Sequence, residues 1–192
     1  DDRGLDWFKA KLEDRLGWPL EPVREYHFDN NGDRYGWIEG DDGHWHYTLF
    51  VENGRIKDTD DYPLMTALRE IAEIHDGEFI LTPNQNLTIV RIPADNREEI
   101  ERLIEQHGLH DPSHYSPLRR SSMSCVAFPT CGLAMAESER YLPDLITRFE
   151  SIMDDAGIGD SAIVVRMAGC PNGCSRPYLA EIGFSGRGPG TY

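Results

Sequence analysis

Apolar residues recur along the chain with two different periods. Leu5, Phe8, Leu12 and Leu16 fall three and four apart, the spacing of one helix face, and Gly17 supplies a stop, so residues 3–17 read as an amphipathic helix. A polar, proline-containing connector, WPLEPVREYHFDNNGDR, follows, and YGWIEG is a short strand. HWHYTLFVENGRIK reads as two strands about an ENGR turn, because Asn-Gly accepts the positive φ that a tight hairpin needs. Pro63 opens a helix with Leu64, Leu68, Ile71 and Ala72 on one face, ended at Asp76-Gly77. EFILT and NLTIVRI are strands separated by PNQ. Asp95 and Glu98 resemble a capping box at the head of a helix carrying Ile100, Leu103 and Ile104, which Gly108 stops. The order strand, strand, helix, strand, strand, helix predicts an α+β unit over roughly residues 35–110, with helices on one face of an antiparallel sheet.

HDPSHYSPLRRSSMS then reads as a polar loop and a boundary. Beyond it, Leu133–Tyr141 is expected to be helical, and Pro143 restarts a helix at its favoured first position. Leu142, Leu145, Ile146, Phe149, Ile152 and Met153 form that helix's apolar stripe, and Gly157 ends it. AIVVRMAG is a buried strand running into Cys170, and YLAEIGFSG is a strand following Cys174. The pattern divides the chain into an N-terminal helix and connector (1–34), a first half-domain (35–115) and a cysteine-bearing half-domain (116–192).

Composition narrows the function. With 39% hydrophobic and 28% charged residues the 192-residue chain is globular, and no apolar run approaches the ~18 residues of a membrane span. A net charge of −15 argues against nucleic acid and anionic membranes as partners. The acidic N-terminus lacks the basic start and apolar middle of a signal peptide, so a cytoplasmic location is expected. Lysine occurs only at positions 9, 11 and 57, leaving arginine as the main cation, which suits bidentate contact with carboxylates.

Four cysteines without a secretion signal point to metal or redox chemistry rather than a disulfide scaffold. Cys125 and Cys131 are spaced C-x5-C, and Cys170 and Cys174 C-x3-C across Pro171-Asn172-Gly173. Structural zinc prefers tighter knuckles, and an iron–sulfur cluster tolerates wider, irregular spacing in glycine-rich loops. Spacing alone favours the cluster and leaves zinc, or unrelated buried cysteines, open. His44 and His46 alternate along a strand and read as sheet-face residues rather than ligands.

CVAFPTCGLAMAESERYLPDL and VVRMAGCPNGCSRPYLAEIGFSGRGPGTY resemble the cluster and sirohaem segment of the sulfite and nitrite reductase family. DRYGW, HWHYTLFVENGRI and FILTPNQNLTIV resemble the ferredoxin-like half-domain that precedes it, so the likeness runs from about Asp33 to Tyr192, in the C-terminal portion of the family's chain. The resemblance implies an α+β fold: a ferredoxin-like half-domain followed by an α/β half-domain that binds a 4Fe-4S cluster and sirohaem. It implies Cys125, Cys131, Cys170 and Cys174 as cluster ligands, with Cys174 also axial to the sirohaem iron and catalytic. The implied reaction is the six-electron reduction of sulfite to sulfide, in sulfur assimilation towards cysteine biosynthesis. The FPTCGLAMAESER context favours sulfite over nitrite. A non-catalytic module held by zinc or an iron–sulfur cluster is the reading from another class.

Asn172 and Gly173 fit the turn between the last two cysteines, and Asn84, Gln85 and Asn86 lie at a strand junction that in the family faces the cofactors. Each reads equally as a turn former. Arg119, Arg120 and Arg176 flank the cysteine loops as candidates for sirohaem carboxylates. The implied partner is a flavoprotein reductase subunit bearing FAD and FMN and drawing on NADPH, met by the acidic surface. The family usually places Ser or Thr two residues before the third cysteine, where this chain has Ala168. The family's chain is much longer, and its N-terminal half supplies most of the cations that hold sulfite and sirohaem. GRGPGTY ends mid-element of the family pattern. These residues are therefore expected to be a fragment that is inactive alone.

Overall fold

A computed structural model describes residues 3–109 and 112–192. His110 and Asp111, the first residues of the expected boundary loop, lie outside the described residues. The chain divides into one unit of residues 1–31 and a second of Gly32–Tyr192.

In the first unit, α1 (Gly4–Leu16) ends where Gly17, at φ 78°, donates its N–H to the Glu13 carbonyl at 2.9 Å. Its apolar stripe is present but uncovered. No residue of α1 is buried, and Leu5 and Phe8 are exposed.

The second unit opens with β1 (Gly36–Glu39) and β2 (Trp45–Leu49), paired antiparallel. Next come the two-residue strands β3 (Asp58–Thr59) and β4 (Tyr62–Pro63), then α2 (Leu64–Ile74), β5 (Glu78–Leu81), β6 (Leu87–Ile92) and α3 (Ala94–Gln106). The four long strands form an antiparallel sheet in the order β1-β2-β6-β5. Leu49, Leu87, Ile89 and Ile92 pack with Leu64, Ala67, Leu68 and Ile71 of α2 and Ile100, Leu103 and Ile104 of α3. That is the expected sheet with helices, formed because apolar positions repeat every second residue in β2, and in β6 up to the irregularity at Arg91 (φ 60°), and every third or fourth in α2 and α3. Ala67 takes the inward place assigned to Ala72, which is exposed.

The second part begins with α4 (Pro117–Arg120) and β7 (Ser122–Ser124), followed by α5 (Leu142–Asp155), β8 (Val165–Ala168) and β9 (Ile182–Ser185). The three strands are parallel, in the order β7-β8-β9. Leu142, Ile146 and Met153 of α5 bury against Val165 and Met167, with Leu145 and Phe149 partly buried beside them. Ile152 is exposed, so the stripe is narrower than the pattern implied. All four residues of β8 are buried, including Arg166.

Four expectations need correction. The ENGR segment is no hairpin turn: Glu52–Gly54 is a 3-10 turn and Arg55–Lys57 join no ladder. Asn53 takes the left-handed conformation the dipeptide suggested (φ 52°), but the chain leaves the sheet instead of returning along it. Leu133–Tyr141 is not helical and runs as turns and bends, because the N–H groups of Met135 and Ala136 go to the Gly169 carbonyl just past β8 and that of Glu139 goes to the Cys125 carbonyl, instead of to carbonyls one helical turn back. The Asp95–Glu98 capping box does not form, since Asp95 lies inside the first turn of α3 behind Pro93. The presumed loop before Cys125 carries α4 and β7, with Ser116 Oγ accepting the Arg119 N–H at 3.0 Å as the cap of α4.

Candidate functional site

The cysteine loops leave the C-terminal ends of adjacent parallel strands. Cys125 follows β7 and Cys170 follows β8 by two residues. Parallel strands align these ends, so segments 45 residues apart meet along one edge.

Two carbonyls at the end of β8 gather the loops. The Met167 carbonyl accepts the Cys125 N–H (3.0 Å), the Ser138 hydroxyl (2.5 Å) and the Ser175 hydroxyl (2.7 Å). The Gly169 carbonyl accepts the N–H groups of Met135 (2.8 Å) and Ala136 (3.0 Å). The Gly169 N–H in turn points at the Cys125 Sγ, 3.2 Å away. Glycine is required there, because a Cβ would lie 2.6 Å from the Ala127 Cβ and 2.7 Å from the Ala136 carbonyl oxygen. Cys131 is tied back by its N–H to the Ala127 carbonyl at 2.8 Å.

All four cysteines are free thiols: Cys170 is buried, Cys125 and Cys131 are half-buried, and Cys174 is exposed. Among the described residues no three His, Cys, Asp or Glu side chains gather into a metal-holding group. The structure therefore brings the cysteine-bearing loops to one edge without closing the four sulfurs into a ligand set. His46 stays on the sheet, where its Nδ1 accepts the Arg91 N–H at 3.4 Å, and His44 Nδ1 lies 3.1 Å from Asp42.

The remaining candidates separate. Asn172 is exposed, and Gly173 has φ 64° with its N–H on the Cys170 carbonyl (3.3 Å), which closes the turn between the thiols. Asn86 is buried: its Oδ1 accepts the Val51 N–H (2.9 Å), and its Nδ2 donates to Asp33 (2.7 Å) and the Tyr35 hydroxyl (3.1 Å). Asn84 Nδ2 also donates to Asp33, at 3.1 Å. Gln85, at φ 68°, reaches the other way, and its Nε2 donates to the Ser124 carbonyl (2.7 Å), one residue before Cys125. The Gln85 Oε1 and Ser124 Oγ are buried without a hydrogen-bond partner.

Arg119 is engaged within the chain. Its guanidinium meets Glu150 through Nε (3.0 Å) and Nη2 (2.7 Å), and Glu52 through Nη1 (2.6 Å). Burial pushes the Glu150 carboxyl up, but its hydrogen bonds from Arg119 and Ser116 outweigh that and hold it below the usual range. Arg120 lies over the Tyr35 ring at 5.7 Å, and its Nε is buried without a partner. Arg176 donates from Nη2 to the Pro83 carbonyl at 2.6 Å, joining the Asn84–Asn86 turn to the loop after Cys174. Arg166 escaped the sequence reading, although a charge inside AIVVRMAG was the signal for it. Burial, and then the neighbouring charge of Arg176, push its pKa below the ordinary arginine value.

A cleft of about 920 Å³, lined by Phe50, Asn53, Arg55, Tyr62, Tyr115 and Glu139 among others, includes none of the four cysteines.

Residues 38–107 match the nitrite/sulfite reductase ferredoxin-like half domain. The chain is 62% identical over all 192 residues to proteins named sulfite reductase [NADPH] hemoprotein beta-component from Staphylococcus saprophyticus and Bacillus subtilis. It spans about a third (34%) of the length of each. A solved structure of the Mycobacterium tuberculosis NirA protein superposes with a TM-score of 0.67 at 27% identity, covering 97% of this chain and 34% of that one. No helix among the described residues is long and apolar enough to cross a membrane.

Proposed function

We propose that these residues are the cluster-bearing portion of a sirohaem-dependent sulfite reductase. The observation that carries the reading is the 62% identity across every residue of the chain, cysteine loops included, to the sulfite reductase beta-components. The donor set agrees with it. The cysteine loops share one sheet edge, and a backbone N–H already donates to a cysteine sulfur, the contact that tunes iron–sulfur centres.

On this reading Cys125, Cys131, Cys170 and Cys174 would hold a 4Fe-4S cluster, and Cys174, the exposed member, would also ligate the sirohaem iron. Those groups, when bound, supply the electron transfer for reducing sulfite to sulfide. The chain's own part is positional. The Met167 and Gly169 carbonyls hold the loops, the Gly169 N–H donates to the Cys125 sulfur, and Gly173 with Asn172 turns Cys174 outward. Gln85 fixes the approach to Cys125 through the Ser124 carbonyl. Arg120 and Arg176 stand at the flanks of these loops.

The other two thirds of the relatives' length would complete the enzyme. A flavoprotein component carrying FAD and FMN would deliver electrons from NADPH, in keeping with the relatives' name. A cytoplasmic place in sulfur assimilation follows from the same reading. Nitrite reduction is the second reading, since the family model names both substrates.

The test uses the full-length polypeptide reconstituted with iron, sulfide and sirohaem. Expected are Soret and red absorption bands, higher kcat/KM for sulfite than nitrite with reduced methyl viologen, and weakened cluster absorption together with altered sirohaem bands in Cys174→Ser. A colourless protein that takes up zinc overturns the assignment. Preference for nitrite establishes the second reading.

A further inference from the structure

Arg166 sits in the middle of β8, 7% exposed, in a position where a side chain would ordinarily be apolar. Its Nη1 reaches the Ser175 carbonyl at 3.4 Å, a long hydrogen bond, and its Nε is buried with no partner. The residue after Ser175 is Arg176, whose positive charge acts on Arg166 and whose Nη2 is taken by the Pro83 carbonyl, with the Met123 sulfur at 3.8 Å. Neither arginine meets a carboxylate among the described residues. Other arginines do form ion pairs, among them Arg55 with Glu139 and Arg119 with Glu52 and Glu150. Two guanidinium groups close together, one of them buried, repel each other and lose hydration. An acidic chain with 34 Asp and Glu residues leaves this pair uncompensated.

We propose that Arg166 and Arg176 form a carboxylate-binding pair whose anion comes from outside these 192 residues. The free Nε edge of Arg166 is the edge that grips a carboxylate side-on, and the second guanidinium adds charge without blocking it. Arg176 lies two residues beyond Cys174, so the pair adjoins the thiol proposed to ligate the sirohaem iron. Two sources share this chemistry: a carboxylate of the tetrapyrrole, which rests on the function proposed above, and an Asp or Glu from the rest of the polypeptide, which does not.

Arg166→Met, Arg166→Lys and Arg176→Gln in the full-length polypeptide separate them. Sirohaem affinity is read by Soret titration of the apo-protein, and apo stability by Tm. If the tetrapyrrole is the source, Arg166→Met weakens sirohaem binding roughly 10- to 100-fold, the loss of a charge-assisted contact, and Lys restores part of it. Apo Tm is then unchanged or raised. If the polypeptide is the source, affinity holds while apo Tm falls in Arg166→Met and recovers in Arg166→Lys. Unchanged affinity with an unchanged or raised Tm overturns the proposal, as does a Tm loss that Lys does not repair. Should the Arg166 variants fail to fold, the partly exposed Arg176→Gln gives the same readings. A wild-type protein that takes up no sirohaem refutes the proposed function, and the Tm arm still decides the pair.

Discussion

A few side chains with every polar atom occupied set the stability of the second unit. Asn86 is one: wholly buried, it serves the Val51 N–H, Asp33 and Tyr35 at once. Asn86→Ala leaves a buried N–H and part of a carboxylate unpaired and is expected to cost about 3 kcal/mol, read by urea unfolding. Glu150 is another. Its folded pKa is depressed, so the stability it contributes is present above its unfolded value near 4.3 and is lost as pH falls through the lower folded value. Tm of the wild type should therefore drop below about pH 4.3 more steeply than that of Glu150→Gln, in a series from about pH 3 to 6. The sequence marked Asn86 and Arg119 as candidates for cofactors. It could not reveal their partners, because Asp33 and Glu52 lie far away along the chain and only the fold brings them within reach.

Among elements, the end of β8 does the most. Its residue types declared a buried strand, and the strand formed as read. What the string did not declare is that two carbonyls there would hold both cysteine loops. Those bonds also explain why Leu133–Tyr141, helical by composition, is not helical: its N–H groups have stronger claims elsewhere. Gly169→Ala forces a methyl against Ala127 and the Ala136 carbonyl and should cost about 1–3 kcal/mol. Limited proteolysis should then cut first within residues 131–138. Survival of both Tm and the proteolytic pattern would mean that the turn is looser than these contacts require. The ENGR segment likewise has a tertiary task. Arg55 there grips Glu139 in a bidentate pair at 2.7 and 2.6 Å, and the Glu139 N–H bonds the Cys125 carbonyl at 3.1 Å.

At the scale of the molecule, that grip joins the antiparallel sheet's side of the unit to the cysteine loops. Arg55 is half exposed, so Arg55→Ala should lower stability by about 1 kcal/mol or less, measured by denaturant titration. Charge acts more broadly. Thirty-four acidic residues against 19 basic ones repel one another in the folded state, and salt screens that repulsion. Tm should rise between low salt and about 0.5 M NaCl, and a fall would show that ion pairs such as Arg119–Glu150 dominate instead. The sequence by itself determined the elements with a clear apolar pattern (the stripes of α1, α2, α3 and α5, and the apolar runs of β6 and β8) and the four thiols in two paired loops, because apolar spacing and cysteine spacing are local properties of the string. Only the tertiary structure decided that the loops share one edge of a parallel sheet, that Gly169 faces Cys125, and that Arg166 is buried with its Nε unpartnered among the described residues. The reason is that strand order and the choice of hydrogen-bond partner are settled by contacts between distant residues, which no local pattern records.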